Sequence, residues 1–342
     1  MQQINSETKY TEWLDVVRFI ATLAVITIHV VAPYLYLYGH IPNSSWSFYN
    51  AVDSLTRFAV PLFVMLSGAL LLNKTMAIAE FLRKRFTRIL IPFLFWSVIY
   101  SAYHFILHFH EFNTGFVYYF IDALSQGASY HLWYIYMLIG LYLTIPVLSR
   151  LITNSDDELL KYYLLIWLVG LMVSNFGFKL NKDLNIAVFT GYLGYLIIGY
   201  YITHRSIHTN RLLLFIVFIG SVFFTFYKTN LQPILHGVFN GSYYQYLSLN
   251  VVLASVTLFI IIKQHLRLSA FWMNKIKLAN KYSFGIYLIH VLILDSLQYF
   301  GINGAWMNPL LGIVSTILIC YFASFFLIAL LSRSYVIGKL IN

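Results

Sequence analysis

The feature that most restricts this chain is a series of ten long apolar runs joined by short, mostly basic connections. The runs lie at about 13–38, 50–72, 89–109, 131–150, 160–177, 186–203, 211–229, 246–264, 283–300 and 306–331. Each is close to the roughly 20 residues that a helix needs to cross the hydrocarbon core. Backbone groups in hydrocarbon must pair within their own segment, so the runs are predicted to be helices. They are too long for membrane β-strands and lack the alternation such strands require. A soluble fold is excluded on charge: 10% of the residues are charged, against about 25% in an ordinary soluble domain. The single cysteine, Cys320, excludes a disulfide framework and a thiolate zinc site. His104, His108, His110 and His236 are scattered near the outer side without a ligand spacing, and no metal is expected. The reading is an all-α polytopic membrane helical bundle, one domain over 1–342, with 116–126 as an interfacial or re-entrant piece. No cleavable signal peptide is expected, because the first run is long, carries an arginine and lacks an A-x-A site.

Orientation follows from the basic residues. Suppose the N-terminus is cytoplasmic. Seventeen of the 22 Lys and Arg then fall in cytoplasmic segments, including Lys74, the cluster Arg83, Lys84, Arg85 and Arg88, and the group from Lys263 to Lys281. Lys179, Lys182 and Lys228 fall outside, and Arg18 and Arg57 lie within spans. This is the positive-inside pattern, and a miscounted helix would scramble it. Both termini are therefore placed in the cytoplasm and the protein in the inner or plasma membrane. The net charge of +10 is explained by contact with anionic headgroups and calls for no nucleic acid. A basic site for an anionic cytosolic ligand is compatible with the same pattern.

Ionisable side chains at bilayer depth cost at least ~2.5–3.5 kcal/mol on insertion scales, so each needs a partner or a task. Asp15, Arg18, Thr22 and His29 share one face of the first span. Eleven residues separate Arg18 from His29, about three turns and roughly 16 Å along the helix. One reading is a structural ion pair with a hydrogen-bonded interior histidine. The other is the wall of a solvated tunnel, where an imidazole can move a proton at neutral pH. In the second span Asp53 precedes Arg57 by one turn, Pro61 should kink the helix and free a carbonyl, and Ser67-Gly68 permits close helix approach. Arg85 and Arg88 share a helix face at the cytoplasmic end of the third span. They suit a phosphate, although a stop-transfer cluster would look the same. His131 and Trp133 open the fourth span, as belt residues or as a grip for a sugar. His290 is a second intramembrane histidine, in the ninth. Cys320 reads as core packing.

These blocks resemble the acyltransferase-3 family of integral membrane acyltransferases. The stretch Trp13-Leu-Asp15-Val-Val-Arg18 with His29 is similar to the family's first-helix Arg–ten residues–His motif. Val60-Pro61-Leu-Phe63 with Ser67-Gly68, Arg85-Phe-Thr-Arg88, His131-Leu-Trp133 and Ser283-Phe-Gly285-Ile-Tyr287-Leu-Ile-His290 resemble four further blocks. They run in order from 13 to 290. The chain looks most like the compact members, similar to surface-polysaccharide and enterobacterial common antigen O-acetyltransferases, without the C-terminal extracytoplasmic domain of larger ones. The resemblance implies an acyl-CoA donor, usually acetyl-CoA, and a carbohydrate or lipid-linked sugar acceptor. Under it, Arg85 and Arg88 would meet the CoA phosphates and Arg18 would hold the donor. Asp15 would orient Arg18, and His29 would act as general base or transient acyl carrier. Arg57, His131, Trp133 and His290 would position the acceptor. Membrane lipid is the other expected partner, and a homo-oligomer is compatible with the sequence. A transporter or exporter of polysaccharide or lipid-linked sugar is the alternative. Against it, Asp15, Asp53 and Asp295 lie toward span ends, whereas proton-coupled carriers usually show mid-membrane carboxylates.

Overall fold

The computed structural model describes residues 2–109, 115–175 and 191–341. Fourteen α-helices are present among them: α1 Gln2–Leu35, α2 Asn43–Thr56, α3 Ala59–Leu71, α4 Ile78–Phe109, α5 Phe116–Gln126, α6 Trp133–Thr153, α7 Asp157–Asn175, α8 Leu193–His204, α9 Arg211–His236, α10 Leu249–His265, α11 Ala270–Asn280, α12 Ser283–Tyr299, α13 Pro309–Leu331 and α14 Tyr335–Ile341. No strand occurs among the described residues. Seven segments are long and apolar enough to cross a membrane: Glu12–Leu35, Asn43–Leu71, Ile78–Leu107, Tyr130–Thr153, Arg211–His236, Ser242–His265 and Pro309–Leu331. Three more apolar helices, α7, α8 and α12, coincide with the remaining three runs. The end of the 160–177 run, the start of the 186–203 run, His110, Lys179 and Lys182 lie outside the described residues.

α1 packs against α2, α3, α10, α11, α12 and α13. Its apolar residues face nearly all directions, as expected of a helix surrounded by others. Val17 and Ala21 are fully buried and Ile26 nearly so. This central position carries Asp15, Arg18 and His29 into the protein and away from lipid.

The second span is two helices. Pro61 has no N–H to give the Arg57 carbonyl, so the helical path breaks at Arg57–Phe58 and resumes with Leu62 N–H donating to the Phe58 carbonyl at 2.9 Å. The expected disruption therefore falls one turn before the proline and holds Arg57 at the joint. α3 then crosses α8 at very short range. A Cβ on Gly68 would stand 1.9 Å from the Leu196 carbonyl oxygen, and one on Gly199 would stand 2.2 Å from that of Met65. This is the close approach expected of Ser67-Gly68.

α5 occupies 116–126 and buries none of its residues in the protein, consistent with a helix lying at an interface. α11 stands beside α1, tied by Lys277 to Glu12 at 2.9 Å and by Asn280 Nδ2 to the Asp15 carbonyl at 2.7 Å.

Candidate active site

Two clusters of polar side chains are stacked along α1. The first surrounds a cavity of about 330 Å³ at the basic end of the bundle. Arg18, Lys74, Arg85, Arg88 and Lys281 contribute to its wall, and no carboxylate does. Arg85 and Arg88 come together there because they are three apart on α4, and α4 places them opposite Arg18. Arg18 Nη1 lies 3.4 Å from Asp15 Oδ1. Asp15 is itself held by Asn280, which donates to both its carbonyl and its carboxylate. The Arg18–Asp15 pair is therefore braced from a second helix, and four further cations line the cavity. A concentration of cations in a recess walled by low-dielectric protein focuses an attractive field on anions.

Deeper in the bundle the cavity is bounded by Phe63, Leu138, Tyr134 and Tyr287. The Tyr134 and Tyr287 rings meet edge to face, 5.5 Å between centroids. His29 is not part of the cavity wall. The continuous passage from Arg18 to His29 expected from the sequence is thus divided by an aromatic partition one ring thick. Large aromatic side chains fill the space between α6 and α12, which helical periodicity on α1 alone does not report.

The second cluster lies on the far side of that partition. His29 from α1, His131 from the 3₁₀ turn Tyr130–Leu132 and His290 from α12 converge. Ring centroids are 5.1 Å apart for His29–His290, 5.1 Å for His131–His290 and 6.4 Å for His29–His131. His131 and His290 are buried, and His29 is partly exposed. His131 Nε2 faces the Leu288 carbonyl at 3.3 Å. A carbonyl only accepts, so Nε2 carries the proton and Nδ1 accepts from the Ser129 hydroxyl at 3.0 Å. Tyr287 touches both sides: it lines the cavity, donates its hydroxyl proton to the His131 carbonyl and packs on the His131 ring at 5.6 Å. The Tyr100 hydroxyl sits within one turn of α12, donating to the Leu288 carbonyl at 2.9 Å and accepting from Leu292 N–H at 3.1 Å. No group of three or more His, Cys, Asp or Glu among the described residues is placed to hold a metal.

Two predicted site residues make contacts of their own beside the imidazole cluster. Arg57 forms an ion pair with the fully buried Asp53, and its guanidinium lies over the Tyr244 ring, 4.2 Å from the centroid. It is a neutralised, aromatic-covered cation, as an arginine at bilayer depth must be. Trp133 stacks on Tyr246 at 5.7 Å, lies 6.3 Å from Tyr192, and keeps 37% of its surface exposed. This is an open aromatic platform of the kind a sugar's CH face covers.

Reasoning from sequence missed Lys74, Lys281, Tyr134 and Tyr287, and also Tyr142, which lines the same cavity. A signal existed for Tyr287, which precedes His290 by three and so shares its face of α12. Lys74 and Lys281 were legible only as topology-setting charges.

The family model described as an acyltransferase domain matches residues 11–326. The chain belongs to the acyltransferase-3 family. No curated protein and no solved structure gives a significant match. The matched region of this multi-pass membrane acyltransferase contains the cavity, the imidazole cluster, Arg57 and Trp133.

Proposed function

We propose that this membrane acyltransferase moves an acyl group, most simply acetyl, from cytoplasmic acyl-CoA to a hydroxyl of a surface polysaccharide or lipid-linked sugar. The reading is carried by one observation. A carboxylate-free basic cavity at one end of α1 stops one aromatic layer short of three clustered imidazoles. The cavity, about 330 Å³ and open on one side, is large enough for a slender arm. The fit is therefore of CoA phosphates at the mouth against Arg85, Arg88, Lys74 and Lys281, with the pantetheine arm beside Arg18. Passage of the thioester to His29 requires Tyr134 and Tyr287 to part, a side-chain rotation of the kind that gates many enclosed sites.

In this mechanism the acceptor oxygen forms a bond to the acyl carbon as the carbon–sulfur bond breaks. His29 takes the hydroxyl proton and delivers it to the departing thiolate, so charge balances over the cycle. Partial exposure gives His29 access to the acceptor. Asp15 and Asn280 fix Arg18 for the donor. Trp133, Tyr192 and Tyr246 offer the sugar a stacking surface. A neutral carbohydrate suits this outer aromatic platform better than a polyanion.

The deciding experiment incubates membranes carrying the full chain with radiolabelled acetyl-CoA and extracts the glycan and lipid-linked sugar fractions. Label is expected in a carbohydrate ester and absent with His29→Ala at equal membrane abundance. Wild-type labelling by His29→Ala would remove the catalytic assignment. Labelling that ignores competition by free CoA would remove the donor assignment.

A further inference from the structure

The three imidazoles are not in equivalent states. Both nitrogens of His131 are engaged, by Ser129 and Leu288. His290 Nδ1 lies 2.6 Å from the Tyr287 carbonyl and must donate to it, since a carbonyl has no proton to give. That leaves Nε2 of His290 as a lone-pair acceptor. The side chain has 0% exposure, and Nε2 has no partner among the described residues. A buried acceptor left unpaired is unfavourable, and a donor that can reach it is favoured to do so.

The rings around His290 are His29, His131 and Tyr287, at 5.1, 5.1 and 5.9 Å. His131 has no N–H left to offer, and the Tyr287 hydroxyl is committed to the His131 carbonyl. His29 makes no hydrogen bond to a described residue, so its N–H is the available donor. Two imidazoles joined by a linear N–H···N bond of about 2.9 Å have centroids about 5 Å apart, adding a ring radius of about 1.1 Å at each end. The His29–His290 separation of 5.1 Å meets this, and the 33° tilt between the rings is within reach of a rotation about the His29 χ2 bond. Such bonds are often loose until substrate arrives.

We propose that His290 is a positioning residue for His29: its Nε2 accepts the His29 N–H and holds the lone pair of the other His29 nitrogen toward the acceptor hydroxyl. The inference rests on the reading of His29 as the base. While the hydroxyl proton resides on His29, the imidazolium directs one N–H to His290 and the other to the departing sulfur. A neutral imidazole thereby fixes the tautomer, the task a carboxylate performs beside the histidine of a Ser-His-Asp triad. It does so without placing an anion deep in the bilayer.

The test compares two variants of the full-length protein. His290→Phe keeps the bulk and removes the acceptor. It is expected to lower kcat roughly 10- to 100-fold while KM for acetyl-CoA stays within about twofold. It should also slow carbethoxylation of His29 by diethyl pyrocarbonate without donor present, read by peptide mass spectrometry. His290→Gln returns an acceptor near the Nε2 position and is expected to recover most of both signals. Wild-type turnover by His290→Phe overturns the inference. So does a His290→Gln protein as slow as His290→Phe when both still gain thermal stability from CoA, because packing then explains the loss. An active His29→Ala protein is a different failure: it removes the base itself and is read independently of position 290.

Discussion

Removing Arg85 and Arg88 together should abolish most CoA binding while sparing the pantetheine arm. Arg85 is partly buried and Arg88 exposed. Hydrogen bonds to charged groups contribute ~1.5–3 kcal/mol when protected from water. The lower limit is appropriate for Arg85, and solvent screening reduces Arg88 to about 1 kcal/mol. The sum, ~2.5 kcal/mol, corresponds to about a 60-fold weaker dissociation constant, with about 12-fold for Arg85→Ala and about 5-fold for Arg88→Ala alone. Calorimetric titration of detergent-solubilised protein with CoA measures this directly, and pantetheine, which has no phosphate, serves as the control ligand. Raising salt from ~0.1 to ~1 M shortens the Debye length from about 10 to about 3 Å, so the gap between wild type and double variant should narrow. Arg211→Ala, a basic residue outside the cavity wall, should leave CoA affinity unchanged. Unaltered CoA affinity in the double variant would refute the assignment of the cavity mouth to phosphates. An equal loss for pantetheine would show instead that the substitutions had collapsed the cavity.

Three other outcomes are expected. Tyr134→Ala thins the partition between cavity and imidazoles, and should raise turnover of propionyl-CoA relative to acetyl-CoA by about tenfold, since one methylene accommodated in an apolar pocket is worth ~1–3 kcal/mol; an unchanged ratio in a donor-competition assay would place the acyl group elsewhere. Gly68→Val forces side-chain atoms into the Leu196 backbone, which cannot yield as a side chain would, and should cost at least ~1–3 kcal/mol, visible as a lowered Tm. Asp53→Asn strands a cation at bilayer depth and should destabilise by ~3–5 kcal/mol, whereas Asp53→Asn with Arg57→Gln should recover much of that loss; equal Tm values for single and double variants would contradict a buried pair.

Much of the fold was legible because hydrocarbon enforces a simple grammar. Apolar length marked the helices, and charge bias marked which ends share a side. The Asp15–Arg18 and Arg85–Arg88 pairings were legible for the same reason, since spacing within one helix sets which side chains are neighbours. Near Pro61 the sequence indicated a disruption but not its place. The break falls at Arg57–Phe58 because the lost hydrogen bond belongs to the carbonyl four residues earlier.

What periodicity within single helices could not decide is which faces of different helices meet. His29, His131 and His290 are separated along the chain by more than a hundred residues each, and only the packing of α1, the Tyr130–Leu132 turn and α12 makes them one cluster. The partition of Tyr134 and Tyr287, and the arrival of Lys74 and Lys281 beside Arg18, have the same origin. The sequence by itself determined that this is a membrane-embedded helical acyltransferase with a cationic end and an imidazole farther along α1. Tertiary structure alone decided that the two are separated by one aromatic layer, because the filling of space between helices is a property of their joint packing and is written in no single one.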